Sequence, residues 1–342
     1  VSDVGRARDE TRRLIDAADV EELVRHVDRV VDLARDDAAA WAHLLELAEW
    51  CRAAAERGRQ LWPAADHAHH RVALGAPGEQ AVRALAASPG RFGLGPLTEV
   101  VASNHAWIEL APALRRELGT GPVALTVAHE RVVRGEDLRG ERFVLGAGPE
   151  LPLALEPWEP AYPIVTYRAF DVEGGEPPVV APGAPVTLGP APTSRADTAV
   201  GRAWRDAFDH WARASAGRVR SVEVEGGPLE ALAALTGVSA PRLAPIDAAT
   251  GLGLIAAGAA SGGTHGRRRG AAAGRDDTWY VAARLAGLDW PVDPAALGDA
   301  VAELDWFVWH DDAAAVGGWA IRLVVHDPHD ALAWALEAID AG

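Results

Sequence analysis

From Ser261 the chain reads Ser-Gly-Gly-Thr-His-Gly-Arg-Arg-Arg-Gly-Ala-Ala-Ala-Gly-Arg-Asp-Asp. A glycine-rich turn that opens a helix can aim backbone N–H groups at an anion. On that reading Gly262, Gly263, Thr264 and Gly266 line the site, Arg267, Arg268 and Arg275 supply forked donors for phosphate or carboxylate, and His265 acts as acid or donor. The competing account ends one helix at Gly262 and Gly263 and pairs the arginines with acidic surface. A second cluster is Asp66-His67-Ala68-His69-His70. His67 and His70 fall three apart on one helical face, close enough to share a metal ion. The third ligand such an ion needs would come from His43, Glu46 or Glu49 on a neighbouring helix; a polar helix surface carrying histidines explains the same residues. His310-Asp311-Asp312 and His326-Asp327-Pro328-His329-Asp330 flank an expected hairpin, and their meeting would bring imidazoles and carboxylates together for acid–base or metal chemistry. Asp327 is equally explained as a helix N-cap.

Other candidates are weaker. His129-Glu130 lacks the second histidine of the HExxH zinc motif, and no serine sits in Gly-x-Ser-x-Gly. Cys51 lies on an apolar stripe, where cysteine is usually inert packing. Of the 13 tryptophans, those at 41, 204, 211, 306 and 319 fit core stripes. Trp158-Glu159-Pro160-Ala161-Tyr162, in a proline-rich stretch, either faces a partner or pins its own loop.

Composition excludes whole classes of chemistry. All 33 basic residues are arginine, so Schiff-base and pyridoxal-phosphate catalysis, Walker-A loops and protein-kinase sites are ruled out. A single cysteine allows no internal disulfide, no iron–sulfur cluster and no cysteine-held zinc. The net charge of −16 disfavours nucleic acid and anionic membrane as partners; the partner expected is a protein or, through the 261–275 loop, a small anionic ligand. Methionine is absent and Asn104 is the only asparagine, as in GC-rich coding, with Val1 read as a GTG start. The first residues do not resemble a signal peptide, and the longest uncharged stretch, 248–264, is too short and too weakly apolar to span a bilayer. A cytoplasmic protein is expected.

These groups must be positioned by two kinds of structure. Residues 1–142 predict serial helices. Asp19 with Glu22 forms a capping signature before Val20, Leu23, Val24, Val27, Val30 and Val31; Asp37 precedes the stripe Trp41, Leu44, Leu45, Ala48, Cys51; and Pro63, Pro77, Pro96 and Pro122 stand where first turns begin. Eleven of the 23 prolines fall between 149 and 192, so 143–195 predicts an extended, linker-like segment with a strand within 162–170. Residues 196–342 predict strands and helices in turn: a helix on Val200, Trp204, Phe208 and Trp211; strands at 219–225 and 243–246; a helix capped by Asp247; a hairpin of 304–310 with 319–325; and a last helix facing the core with Leu332, Ala335, Leu336 and Ile339. The fold class is therefore α+β, a helical array followed by a small mixed sheet covered by helices, with a strand–turn–helix unit expected three times.

Several stretches resemble an uncharacterised actinobacterial family of unknown function. They are Gly93-Leu-Gly-Pro-Leu-Thr-Glu99, Val127-Ala-His-Glu-Arg-Val-Val-Arg-Gly-Glu-Asp137, Pro157 to Tyr162, Ser261 to Arg275, Trp290-Pro-Val-Asp293, and Asp327-Pro to Leu336. The resemblance covers most of the chain and implies no activity or catalytic residue. Two functions stand open. One is a non-catalytic binding or protein-interaction module; the other is a phosphate- or nucleotide-recognising enzyme or sensor built on 261–275.

Overall fold

The computed structural model describes residues 2–86, 93–141, 151–235, 237–312 and 317–341. The chain divides into two units, Val1–Gly148 with Val165–Glu173, and Pro149–Ile164 with Gly174–Gly342. The stretch expected as a linker is thus shared out: most of it builds the second unit, and Val165–Glu173 belongs to the first.

The first unit is helical: α1 (Asp3–Ala17), α2 (Val20–Leu33), α3 (Ala39–Glu56), α4 (Trp62–Gly75), α5 (Gly78–Leu85), α6 (Leu97–Asn104), α7 (Trp107–Glu117) and α8 (Pro122–Val132). Local chemistry sets the starts. Asp19 accepts from the Glu22 amide at 3.0 Å and Asp37 from the Ala39 amide at 2.9 Å. Pro63 and Pro122 occupy first-turn positions, where the missing N–H costs nothing. The apolar stripes of α1–α4 then close one core around Leu23, Val27, Leu44, Leu47, Cys51 and Val72. Two short strands, β1 (Val165–Tyr167) and β2 (Val172–Gly174), pair across a tight turn in which the Arg168 amide donates to Asp171 O.

The second unit is built on a six-stranded sheet. Its members are β3 (Ala184–Pro185), β4 (Arg218–Glu225), β5 (Pro241–Ile246), β6 (Asp305–Asp311), β7 (Trp319–Asp327) and β8 (Leu332–Asp340), in the order β3-β5-β6-β7-β8-β4 with every pairing antiparallel. On one face Trp306, Val308, Ile321, Leu323, Val325, Leu336 and Ala338 meet α9 (Ala199–Ala214), α11 (Ala248–Ala260), α12 (Ala271–Leu285) and α13 (Pro294–Ala302). The other face packs Trp309, Val324, Ala333 and Ala335 against α10 (Pro228–Ala234). The helical array with its C-terminal sheet makes the protein α+β.

One element differs from expectation. Residues 332–340 are a strand, not the last helix, so the threefold strand–turn–helix unit is not formed. A strand covered on both faces is apolar at nearly every position, and such a run has no alternation to set it apart from a helix. Asp327 does cap, but it caps a turn, accepting from the His329 amide at 2.8 Å and the Asp330 amide at 3.2 Å. The hairpin of β6 and β7 forms as expected.

Candidate functional site

The glycine–arginine loop lies between α11 and α12, and the structure divides its eight candidate residues among three environments. Gly262 and Gly266 stack backbone on backbone, so a Cβ on either would strike the other's main chain. Gly263 holds a φ of +69°, a left-handed conformation that favours glycine, and its amide donates to Ser261 Oγ at 3.1 Å. The turn does cradle a carboxylate, and it is the chain's own. Asp340, fully buried at the end of β8, accepts from the Thr264 amide at 2.7 Å and from Ser215 Oγ at 2.7 Å, while Thr264 Oγ1 donates to the Asp340 carbonyl at 2.7 Å. His265 and Arg267 are exposed, and Arg268 reaches Pro163 O at 3.2 Å.

Arg275 is set apart from all of these. Its side chain has no exposed surface and forks onto Glu159, with both bonds at 2.7 Å, while further donors reach Pro152 O and Ala154 O at 2.9 Å. Tyr162 donates to the same Glu159 at 2.6 Å, and Trp158 packs 4.7 Å from Trp279 and donates to Pro294 O at 3.0 Å. The aromatic, proline-rich stretch is thereby pinned to its own domain. Desolvation pushes the Glu159 carboxyl up, but the Arg275 guanidinium outweighs it and holds the group below its ordinary value.

The two His–Asp groups of the hairpin stay apart. Asp305 pairs with His326 across β6 and β7, whereas His310 stands five residues further along β6, roughly 17 Å away at strand rise. Asp311 accepts from the Ser239 and Ala240 amides at 3.2 and 3.1 Å, and His326 faces Asp305 at 3.0 Å. Asp311 thus holds the chain entering β5, His326 pairs across the sheet, and Asp327 holds the turn between β7 and β8. The Cys51 thiol, buried on α3, is pushed up to about 12 by desolvation and stays protonated.

His67 and His70 present a different situation. Both lie on α4 and line a cavity of about 210 Å³ with Asp66, Val24, Pro63, Gly93, Leu94, Ala169 and Phe170. His67 Nε2 meets Asp28 Oδ1 of α2 at 3.1 Å, and His70 Nε2 meets the Arg168 carbonyl at 2.7 Å. Each partner is an acceptor, so Nε2 carries the hydrogen in both rings and Nδ1 is left as a lone pair. His70 Nδ1 is buried with no hydrogen-bond partner among the described residues. Burial holds both imidazoles below their ordinary pKa, so both are neutral near pH 7. Phe170, 64% exposed on the β1–β2 turn, stacks on His67 at 4.9 Å and 18°. That turn is tied down by Tyr167, whose hydroxyl donates to the buried Glu99 at 2.6 Å. Gly95 is required there, because a Cβ would overlap the Tyr167 ring. Zinc needs a third donor beside His67 and His70, and among the described residues no group of three or more His, Cys, Asp or Glu stands together to hold a metal ion. The sequence marked these two histidines, but nothing in it marked Phe170, which arrives from about 100 residues away.

The protein is thus α+β, with an open cavity on its helical unit, and no helix among the described residues is long and apolar enough to cross a membrane. Residues 21–342 match the model of a family of unknown function, DUF6183, and the chain belongs to that family. Nothing among curated proteins or solved structures matches.

Proposed function

We propose that this is a non-catalytic, cytoplasmic binding module whose ligand enters the α4 cavity beside Phe170. The observation that carries the reading is the cavity itself: His67 and His70, their Nε2 atoms held by Asp28 and the Arg168 carbonyl, line it beside the exposed ring of Phe170. Thr264 and the turn around it hold Asp340, and Arg275 holds Glu159.

Phosphate or nucleotide recognition by 261–275 is the second reading, and it rests on the exposed His265 and Arg267. A thermal-shift screen of the full chain against small amines, alcohols, acids, phosphorylated metabolites, nucleotides and divalent ions separates the two. A ligand at 100-fold its Kd stabilises by about 2.7 kcal/mol. The cavity reading expects that shift to vanish in Phe170→Ala and to survive in Arg267→Ala/Arg268→Ala. The reverse dependence overturns it in favour of the loop, and a screen without any Phe170-dependent shift also overturns it.

A further inference from the structure

A polar cluster lies buried where α1, α2 and α3 pack, apart from the α4 cavity. Thr11 on α1 and His43 on α3 have no exposed surface, and His26 on α2 is 4% exposed. Thr11 Oγ1 stands 2.9 Å from Ala7 O, 2.9 Å from His26 Nε2 and 3.0 Å from His43 Nε2, and His26 Nε2 also reaches Ala7 O at 3.2 Å. His43 Nδ1 faces Glu46 Oε2 at 3.5 Å, and the other Glu46 oxygen accepts from Arg8 at 2.8 Å. Hydroxyl, imidazole and carboxylate thus follow the order of a nucleophile, its base and the acid that orients the base. Thr11 is wholly enclosed, so no substrate reaches the hydroxyl, and what the array can do is hold a proton.

Counting hydrogens places each of them. Ala7 O only accepts, so His26 carries its hydrogen on Nε2. The Glu46 carboxylate favours a hydrogen on His43 Nδ1, and burial leaves both rings neutral near pH 7, so His43 Nε2 is a lone pair. The single Thr11 hydrogen then goes to His43. If His43 gains a proton, Nε2 becomes a donor, and Thr11 Oγ1 accepts from it once its own hydrogen turns to Ala7 O. Neither arrangement strands a donor, and the two differ by one proton and one rotation about the Thr11 Cβ–Oγ1 bond. Charges act on the rings from all three helices: Arg8 and Glu10 on α1, Glu22 and Arg29 on α2, and Glu46 on α3. Trp50 also packs 5.9 Å from His43, with the Arg12 guanidinium 5.1 Å over the Trp50 ring.

We propose that Thr11, His26, His43 and Glu46 form a two-state proton switch at the junction of α1, α2 and α3. Acid adds one proton from solvent to His43 Nε2 and turns the Thr11 hydroxyl from His43 to Ala7 O. The folded chain takes up this proton without losing the contact between α1 and α3. In the charged state Glu46 faces the imidazolium and Thr11 accepts a charge-assisted bond from it.

The test is long-range proton–nitrogen NMR of the full chain with labelled histidine, from pH 7.5 downward. At pH 7.5 His43 should carry its hydrogen on Nδ1 and His26 on Nε2, and His43 should become imidazolium while the amides of α1–α3 stay dispersed. Glu46→Gln, on a partly exposed side chain, should lower the His43 midpoint by at least about half a pH unit by removing the facing charge. Thr11→Val should lower it as well, by removing the acceptor for Nε2–H, and Thr11→Ser should restore it. Each of three results would overturn the switch: a His43 hydrogen on Nε2 at pH 7.5, a midpoint unchanged in both Glu46→Gln and Thr11→Val, or collapse of the α1–α3 amides before His43 titrates.

Discussion

In the helical unit one buried arginine, Arg134, lies between Glu130 and Glu99, and six imidazoles, His26, His43, His67, His69, His70 and His105, have pKa values lowered first of all by desolvation. In the sheet unit the buried polar groups are mainly arginine–carboxylate groups, with Arg275 on Glu159 and Arg220 and Arg322 flanking the buried Glu337. The contrast bears on function as well as stability. A guanidinium on a carboxylate satisfies itself and leaves nothing for a ligand. An imidazole whose N–H is taken still carries a lone pair, and most of the imidazoles held below their ordinary pKa by burial lie in the helical unit.

Acidification should break the comparison open with the largest effect. A histidine whose folded pKa lies below its ordinary 6.5 leaves the unfolded chain binding more protons between the two values. Its stabilisation is present above pH 6.5 and is lost as pH falls, reaching about 4 for His69. Each unit of lowering is worth about 1.4 kcal/mol, and six such groups act together in the helical unit. Asp277 in the sheet unit has the opposite sign. Burial raises it from 3.8 to about 6, so its contribution grows as pH falls through 6. Asp276 is raised as well, and His210, lowered to about 4, works against both, so the sheet unit's contributions largely cancel. Hydrogen exchange at pH 7.5 and pH 5 should show amides of α1–α4 losing far more protection than those of β6–β8. Equal losses would remove the distinction between the units.

Arg275→Ala sharpens the other side. Removing one partner of a buried pair typically costs 3–5 kcal/mol because the remaining charge is stranded, and here that charge is Glu159. Denaturant unfolding should show a loss of about that size, with Glu159→Gln/Arg275→Met less destabilised than Arg275→Ala alone. Asp340→Ala should cost about 1–3 kcal/mol, since the Thr264 amide and Ser215 hydroxyl lose their acceptor. If that variant instead gains affinity for inorganic phosphate, the turn around Thr264 is an anion cradle that Asp340 normally fills. The smallest effect is Asp247→Ala, which removes the 2.7 Å bond from the Thr250 amide at the start of α11 and should cost about 1 kcal/mol by the same measurement.

Much of the fold was legible. The stripes of α2, α3 and α9, the proline starts and the caps at Asp19 and Asp247 all appear where periodicity and cap chemistry put them. β8 was not legible, since burial on both faces erased its alternation. Of the candidate residues, His67 and His70 do share a cavity, but the loop of 261–275 does not gather its arginines: Arg275 turns inward to a carboxylate that no local pattern indicates.

The division follows sequence distance. What the sequence determined by itself is set by contacts three or four residues apart: an Asp side chain on the amide three residues on, an apolar residue every helical turn, the absence of lysine and all chemistry that depends on it. What the tertiary structure alone decided spans tens of residues. Glu159 lies 116 residues from Arg275, Arg168 O lies 98 from His70, and Ser215 lies 125 from Asp340. A guanidinium, a glycine turn or an imidazole has the same local pattern whether its partner is a ligand or the chain itself, and only the packing of distant segments settles which one reaches it first.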